Sequence, residues 1–140
     1  MSELSLFFAQ NAGADMTEEF VVSDRFKDQA GQPVPWKLRT MSEAENEAIR
    51  KSATRLVKSK NGVRAPETDP EEYLAKLVVA SIVYPDLKNA ELQSSYGVMG
   101  AEALLKKMLL SGEYAGLVQK VQALNGYDRD VNELAEEVKN

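Results

Sequence analysis

One segment near the middle of the chain constrains the fold most, because it combines a clear helix start with a long apolar run. Asp69-Pro70-Glu71-Glu72 supplies an N-cap, a proline at the first helical position and a glutamate at the third. From Leu77 to Val83 the helix is apolar on nearly every side except at Ser81. It must end by Tyr84, because Pro85 disfavours helical backbone at the residue before it. Such a helix belongs at the centre of a core.

Short amphipathic helices are predicted after this central helix. Apolar residues recur there at helical spacing, separated by glycines and polar connections. Four segments have this pattern: residues 88–95, residues 101–110, a helix that starts at Ser111 and is terminated by a left-handed Gly126, and a last helix from Asp128 or Asp130. Residues 69–140 are therefore expected to form a helical cluster.

An antiparallel β-hairpin is predicted in the first half of the chain. Residues 19–26 are rich in β-branched and aromatic side chains, and residues 34–39 resume this pattern after a turn-forming cluster. Trp36 and Leu38 share one face of the second strand, as on a half-buried strand. Pro35 lacks an N–H group, so this strand should be an edge strand or begin there.

A short helix is predicted over residues 2–10, before the hairpin. Leu4, Phe7 and Phe8 fall on one face of this helix. We favour the interpretation that this face covers the core of the hairpin. The alternative is that it presents a hydrophobic contact to a partner.

A longer helix is predicted over residues 42–58, with Thr40 or Ser42 as its N-cap, and Ser42 and Glu45 have the spacing of a capping box. One of its faces is apolar and the other is basic. The apolar face consists of Ala44, Ala48, Ile49, Ala53, Leu56 and Val57. The basic cluster consists of Arg50, Lys51, Arg55 and Lys58, followed by Lys60 and Arg64.

Two interpretations of this basic cluster are open. In the first, the basic helix of residues 50–64 binds phosphates, and the protein is a small nucleic-acid-binding regulator. In the second, the cations match the helix dipole and pair with preceding glutamates, as Glu47 would with Lys51. We favour the second interpretation, because no aromatic residue lies among these cations to stack on bases.

Together these segments predict an α+β fold, mostly α, with one N-terminal β-hairpin packed with a cluster of short amphipathic helices. Residues 1–140 are expected to form a single domain, because a chain of this length can bury a core of its own. Residues 1–60 provide the short helix, the hairpin and the longer helix. A polar loop over residues 58–68 then leads to the helical cluster of residues 69–140.

The composition excludes most catalytic chemistry. The chain has neither cysteine nor histidine, which excludes thiol nucleophiles, Cys/His zinc sites, imidazole bases and Ser-His-Asp triads. We therefore expect no enzyme, no metal site and no cofactor. The net charge of −5 argues against nucleic acid as a partner. Without a membrane-spanning run or a signal peptide, the expected location is the cytoplasm.

Several segments resemble one phage family in their order and spacing. They are Val22–Trp36, Arg39–Glu45, Tyr84–Gln93, Leu109–Leu117 and Asn125-Gly126-Tyr127. Together they span nearly the whole chain, and they resemble the XkdN-like tail assembly chaperones of PBSX-type prophages and related long-tailed phages.

The resemblance implies a role without catalysis. Chaperones of this kind act in the host cytoplasm while a tail is built, and they do not remain in the finished virion. They associate with the tape measure protein, keep it soluble and help tail tube subunits assemble around it. The expected partners are therefore the tape measure protein, with the tail tube protein and a second copy of the chain as further candidates, and no membrane.

One candidate surface for such a partner lies among the C-terminal helices. Gly97 and Gly100 would allow movement between two helices, and Met99 and Met108 can adapt to an irregular partner. A groove near these four residues would receive a partner helix. The alternative is that both methionines are ordinary core residues.

Overall fold

The computed structural model describes residues 3–11 and 16–127. It confirms the α+β class, but the prediction of one β-hairpin is wrong, because the strands form two separate antiparallel sheets. The elements in chain order are 3₁₀ helices at Glu3–Phe7 and Ala9–Asn11, β1 (Thr17–Phe20), β2 (Trp36–Arg39), α1 (Glu43–Ser52), β3 (Thr54–Lys58), β4 (Arg64–Thr68), α2 (Pro70–Ser81), β5 (Ile82–Tyr84), α3 (Ala90–Ser95), α4 (Ala101–Met108) and α5 (Ser111–Leu124).

The first sheet has three strands in the order β1-β2-β5. β1 and β2 are antiparallel, as predicted, with Phe20 opposite Trp36. β5 pairs with the other side of β2, so the prediction of an edge position for the second strand is wrong. The alternative, that this strand begins at Pro35, fits the structure closely. Because β2 starts one residue later, the missing N–H of Pro35 falls outside the ladder.

The connection between β1 and β2 is longer than predicted. The first strand, expected over residues 19–26, already ends at Phe20. The chain then leaves the sheet and returns through a tight turn closed by a bridge between Lys27 and Pro33. Gly31 occupies this turn with a φ of 83°, a conformation that glycine adopts at little cost.

The start of α2 is as predicted, and its end differs. The Asp69 carboxylate accepts hydrogen bonds from the N–H groups of Glu71 and Glu72 at 3.0 and 3.1 Å. The helix ends at Ser81, and the following run of residues 82–84 forms β5. This run is β-branched and aromatic, which suits a strand pairing with β2.

α1 is shorter than predicted. Ser42 forms the expected capping box with the third helical residue, but the helix ends at Ser52. The prediction of a helix over residues 42–58 is therefore wrong in its last turn and a half. Leu56 and Val57, assigned to its apolar face, lie in β3 and are exposed.

A second sheet replaces the predicted loop over residues 58–68. β3 and β4 form a two-stranded antiparallel ribbon, here called the ribbon (residues 54–68). At its turn the Gly62 N–H donates to the Ser59 carbonyl at 3.0 Å, and Gly62 has a φ of 79°. Asn61-Gly62 is a typical sequence signal of such a turn.

One cluster of buried apolar residues joins the three-stranded sheet to the helices. Its members include Trp36 and Leu38 of β2, Leu77 and Val78 of α2, Leu104, Leu105 and Met108 of α4, and Leu117 and Val121 of α5. The central position predicted for the middle helix is confirmed, because α2 contacts α1, α4 and α5. The cluster draws on both predicted halves, and a single domain over residues 1–140 stays a prediction.

The C-terminal helices agree with the sequence pattern. α3, α4 and α5 lie within the predicted segments. Gly126 has a φ of 88°, and its N–H donates to the Ala123 carbonyl at 3.0 Å, so it terminates α5 as expected. The last helix, predicted from Asp128 or Asp130, lies outside the described residues.

The N-terminal segment does not cover the core. It forms two short 3₁₀ helices instead of the predicted helix over residues 2–10. Leu4, Phe7 and Phe8 are all exposed, and Phe7 retains 80% of its accessible surface. The interpretation that these side chains cover the hairpin is therefore wrong.

Candidate functional site

An apolar surface cleft of about 390 Å³ lies where the β1–β2 connection meets the end of β5 and the helices. We call it the aromatic cleft. Its apolar lining consists of Phe26, Val34, Trp36, Tyr84, Pro85, Leu92 and Met108, and its two charged residues are Arg25 and Lys27. Clefts of this size with a mainly apolar lining and a few polar groups are typical binding sites.

The floor of the cleft is fixed by the core, and its outer wall is open to solvent. Trp36 and Met108 are buried members of the core cluster. Tyr84, at the end of the edge strand β5, keeps 54% of its surface exposed. The rings of Phe26 and Trp36 lie 6.4 Å apart, centroid to centroid, at 40°, within the range of favourable aromatic pairs. An apolar side chain from outside would therefore contact rings that are already in place.

Arg25 holds one side of the cleft in position. Its guanidinium forms an ion pair with Glu113 at 2.5 Å and donates to the Met108 carbonyl at 2.8 Å. The same guanidinium lies 5.0 Å from the centre of the Phe26 ring. Arg25 thus ties the β1–β2 connection to the junction of α4 and α5.

The charge of Glu113 is strongly stabilised at this junction. The Arg25 guanidinium, followed by hydrogen bonds from Ser23 and from the Leu110 N–H, lowers the pKa of Glu113 from 4.5 to about 2. The ion pair with Glu113 also raises the pKa of Arg25. Both groups are therefore charged throughout the physiological range, and Arg25 is already neutralised within the fold.

Lys27 is the cation of the cleft that stays available. It is exposed, and it forms no ion pair with any residue in the described ranges 3–11 and 16–127. The cleft therefore combines aromatic walls with one free positive charge. Such a surface suits an apolar segment that carries a carboxylate.

The four residues predicted from sequence do not meet in this cleft. Met108 belongs to its lining but is only 6% exposed, whereas Met99 is 92% exposed. Gly97 follows α3 with a φ of 67°, and Gly100 precedes α4 with a φ of 97°. These values explain both glycines by local backbone geometry. A partner contact at Met99 stays a prediction.

The basic cluster does not lie on one helix. Arg50 and Lys51 belong to α1, whereas Arg55, Lys58 and Arg64 belong to the ribbon. The predicted basic helix over residues 50–64 is therefore wrong. The second interpretation of the cluster is supported at its start: Lys51 pairs with Glu47 at 2.9 Å and Arg50 with Glu43 at 3.6 Å.

The described residues contain neither a metal-binding cluster nor a membrane-spanning helix. No group of three or more acidic side chains there is arranged to hold a metal ion. The longest helix in this part of the chain has 14 residues, and none is both long and apolar enough to cross a bilayer.

Comparison with known proteins places the chain in a family. The family model of the phage XkdN-like tail assembly chaperone protein matches residues 4–139. The chain belongs to this family. The resemblance found in the sequence is thereby confirmed, and the chaperone is of the type carried by phages and prophages.

Two relatives of this tail assembly chaperone come from Bacillus subtilis strain 168. Phage-like element PBSX protein XkdN is 28% identical over 120 residues, which cover 85% of this chain and 81% of the relative. The protein YqbN is 30% identical over 139 residues, which cover 99% of this chain and 93% of YqbN. The chain therefore aligns with these relatives over most of its length.

The fold is also that of a solved relative. The crystal structure of YqbN matches with a TM-score of 0.77 at 26% sequence identity, covering 91% of this chain and 99% of that one. The overall fold described above thus has an experimental counterpart.

Sequence reasoning missed the aromatic cleft because its lining comes from four separate parts of the chain. Phe26, Trp36 and Tyr84 each have a signal for strand or turn, but nothing in the sequence shows that β5 pairs with β2. That pairing brings Tyr84 beside Lys37 and places the cleft at the sheet edge. Tyr84 and Trp36 did lie within segments that carry the family resemblance.

Proposed function

We propose that this tail assembly chaperone holds a tape measure protein in the cytoplasm during tail assembly, without catalysis, and that the aromatic cleft contacts this client. The observation that carries the proposal is an open apolar cleft in a member of a chaperone family. The tail tube protein is a further expected partner, and absence from the finished virion follows from the same role.

The physical basis of the proposal is the protection of apolar surface. A long, partly hydrophobic helical client aggregates through its exposed apolar face. A chaperone without nucleotide chemistry can hold such a chain only by binding it, which shifts the equilibrium by mass action. Short helices and a sheet edge around an aromatic cleft suit the mode in which an amphipathic helix enters a groove.

Tyr84 is the side chain best placed to test the cleft. It is exposed, so its replacement removes a contact surface with little effect on the core. Aromatic anchors commonly contribute about 2 kcal/mol or more at an interface. Tyr84→Ser should therefore weaken client binding by about thirtyfold, and Leu110→Ser, which removes an exposed apolar side chain outside the cleft lining, should change it little.

The measurement is the soluble fraction of the tape measure protein on co-expression with each variant. The unmodified chaperone and Leu110→Ser should raise this fraction, and Tyr84→Ser should leave it near the level without chaperone. Thermal unfolding of the three chaperones controls for folding. If the unmodified chaperone leaves the client insoluble, the proposed function is wrong; if Tyr84→Ser works equally well, only the cleft assignment is wrong.

A further inference from the structure

The ribbon protrudes from the fold with both of its faces largely in solvent. Every residue of 55–67 is exposed. Two contacts attach its base: the Thr54 hydroxyl bonds to the Arg50 carbonyl at 2.7 Å, and Arg55 forms a two-pronged ion pair with Glu72 at 2.9 and 3.0 Å. Two strands alone are marginally stable in water. Packing against the core therefore does not explain why the chain forms this ribbon, and a contact with a partner would.

The register divides the ribbon into two faces. Leu56 pairs with Pro66 and Lys58 with Arg64, and because side chains alternate along a strand, these four residues share one side. We call this side the outer face (Leu56, Lys58, Arg64 and Pro66). The opposite side carries Arg55, whose charge is neutralised by Glu72. The free positive charge of the ribbon is thus on its outer face and at its turn.

Two like charges stand directly opposite each other on the outer face. The Ser59 N–H donates to the Val63 carbonyl at 2.9 Å, so the next pair, Lys58 and Arg64, is a non-hydrogen-bonded pair. In such pairs the side chains come closest, and like charges destabilise the ribbon. Neither cation, nor Lys60 in the turn, has an ion pair with any residue described. Within residues 3–11 and 16–127, no carboxylate pairs with them.

Apolar side chains lie beside these cations. Leu56, on the outer face itself, is 66% exposed, so this face combines positive charge with aliphatic contact area. Residues 54–68 contain no aromatic side chain, and bases would therefore find nothing to stack on. The combination favours an acidic protein segment with an apolar side over a nucleic acid.

The backbone of the ribbon indicates recognition through side chains. Since Pro66 lies in a non-hydrogen-bonded pair, its nitrogen points away from β3, toward the free edge of β4. A proline at that position removes the donor that an added strand would need. A partner therefore meets the outer face, and strand addition at the edge of β4 is disfavoured.

We propose that the outer face of the ribbon docks on an acidic amphipathic segment of the client, one that places carboxylates against Lys58 and Arg64 and aliphatic side chains against Leu56. This contact rests on the proposed function and is separate from the aromatic cleft. Charge complementarity identifies the partner segment, because its carboxylates relieve the repulsion that the ribbon carries when free.

The decisive variant is Lys58→Glu, because it should weaken client binding without lowering the stability of the chaperone. The new carboxylate faces Arg64, which removes the like-charge pair, so the melting temperature should stay the same or rise. The client loses an attractive charge and meets a repulsive one, so binding should weaken about five- to tenfold at low ionic strength. Lys107→Glu, at an exposed lysine of α4 without an ion pair among the described residues, is the matched control.

The measurement is the amount of tape measure protein that copurifies with tagged chaperone at about 50 mM and about 300 mM salt. The unmodified protein and Lys107→Glu should retain the client at low salt, and Lys58→Glu should lose most of it. Retention by Lys58→Glu equal to that of the unmodified protein would overturn the ribbon contact and leave the proposed function standing. No retention by the unmodified protein would overturn both.

A DNA-binding experiment tests whether the ribbon binds a nucleic acid instead of a protein segment. A labelled DNA duplex of about 20 base pairs is titrated with the unmodified chaperone and with Lys58→Glu at the lower salt. The expected result is no binding by either protein. Tight binding by the unmodified protein that Lys58→Glu abolishes would overturn the assignment of a protein segment as the occupant.

Discussion

The residue that joins the aromatic cleft to the rest of the fold is Arg25. It links the β1–β2 connection to Glu113 and to the Met108 carbonyl across more than 80 positions of sequence. Its contact with Phe26 positions a ring of the cleft wall. Arg25 is therefore a structural cation, whereas the neighbouring Lys27 is free to meet a ligand. These two cations of the cleft thus have different roles because, among the residues that the structure describes, only Arg25 has a carboxylate partner.

The low pKa of Glu113 gives a pH dependence with a definite sign. A carboxylate whose pKa falls from 4.5 to about 2 on folding stabilises the native state above its unfolded pKa, and this stability is lost as the pH drops from 4.5 toward 2. Glu113→Gln should therefore lower the free energy of unfolding at pH 7, and its difference from the unmodified protein should shrink over that interval.

Urea unfolding at a series of pH values checks this expectation. Glu91→Gln is the control, because Glu91 is exposed and makes no ion pair within the part of the chain that the structure describes. A constant difference between Glu113→Gln and the unmodified protein from pH 7 to pH 2 would show that the ion pair with Arg25 does not set the acid stability of this junction.

At the scale of elements, one capping residue, Asp69, contacts both the base of the ribbon and the start of α2. The Asp69 N–H donates to the Ala53 carbonyl at 2.9 Å, and its carboxylate receives two N–H groups of the first turn of α2. Asp69 therefore ends the ladder of the ribbon and starts the central helix. A weakened cap should affect both elements.

Asp69→Ala should destabilise the protein by about 0.5–2 kcal/mol, because the helix loses its N-cap acceptor. Asp69→Asn keeps an oxygen acceptor at the same place and should cost much less. Thermal or urea unfolding of the two variants gives the comparison directly. Equal losses for alanine and asparagine would mean that the negative charge, rather than the cap hydrogen bond, stabilises the junction.

An element can be predicted from the sequence when the residues that form it lie close together along the chain. The caps at Ser42 and Asp69 and the terminator Gly126 act within one turn, and the sequence predicted all three. The end of α1 was misjudged because residues 54–58 suit a helix face by spacing, yet pair with residues 64–68 in the structure. Asn61-Gly62 was the local signal for that pairing.

At the scale of the whole molecule, the features that could not be predicted are those that depend on strands far apart in the sequence, such as β2 and β5. The composition indicated binding over catalysis, and the family resemblance named the class of protein. The aromatic cleft exists only because β5 joins β2 across the length of the ribbon and α2. Its position thus depends on tertiary contacts that no local pattern in residues 82–84 reveals. Under the proposed function, the ribbon and the cleft are two separate contact surfaces for one client.

Hydrogen–deuterium exchange shows whether the client occupies the aromatic cleft. Amide exchange of the chaperone is measured alone and in complex with the tape measure protein. If the client covers the cleft, the amides of residues 82–84 and of α3, around Leu92, should exchange more slowly in the complex. Unchanged exchange in these segments, in a complex that demonstrably forms, would contradict occupancy of the cleft by the client.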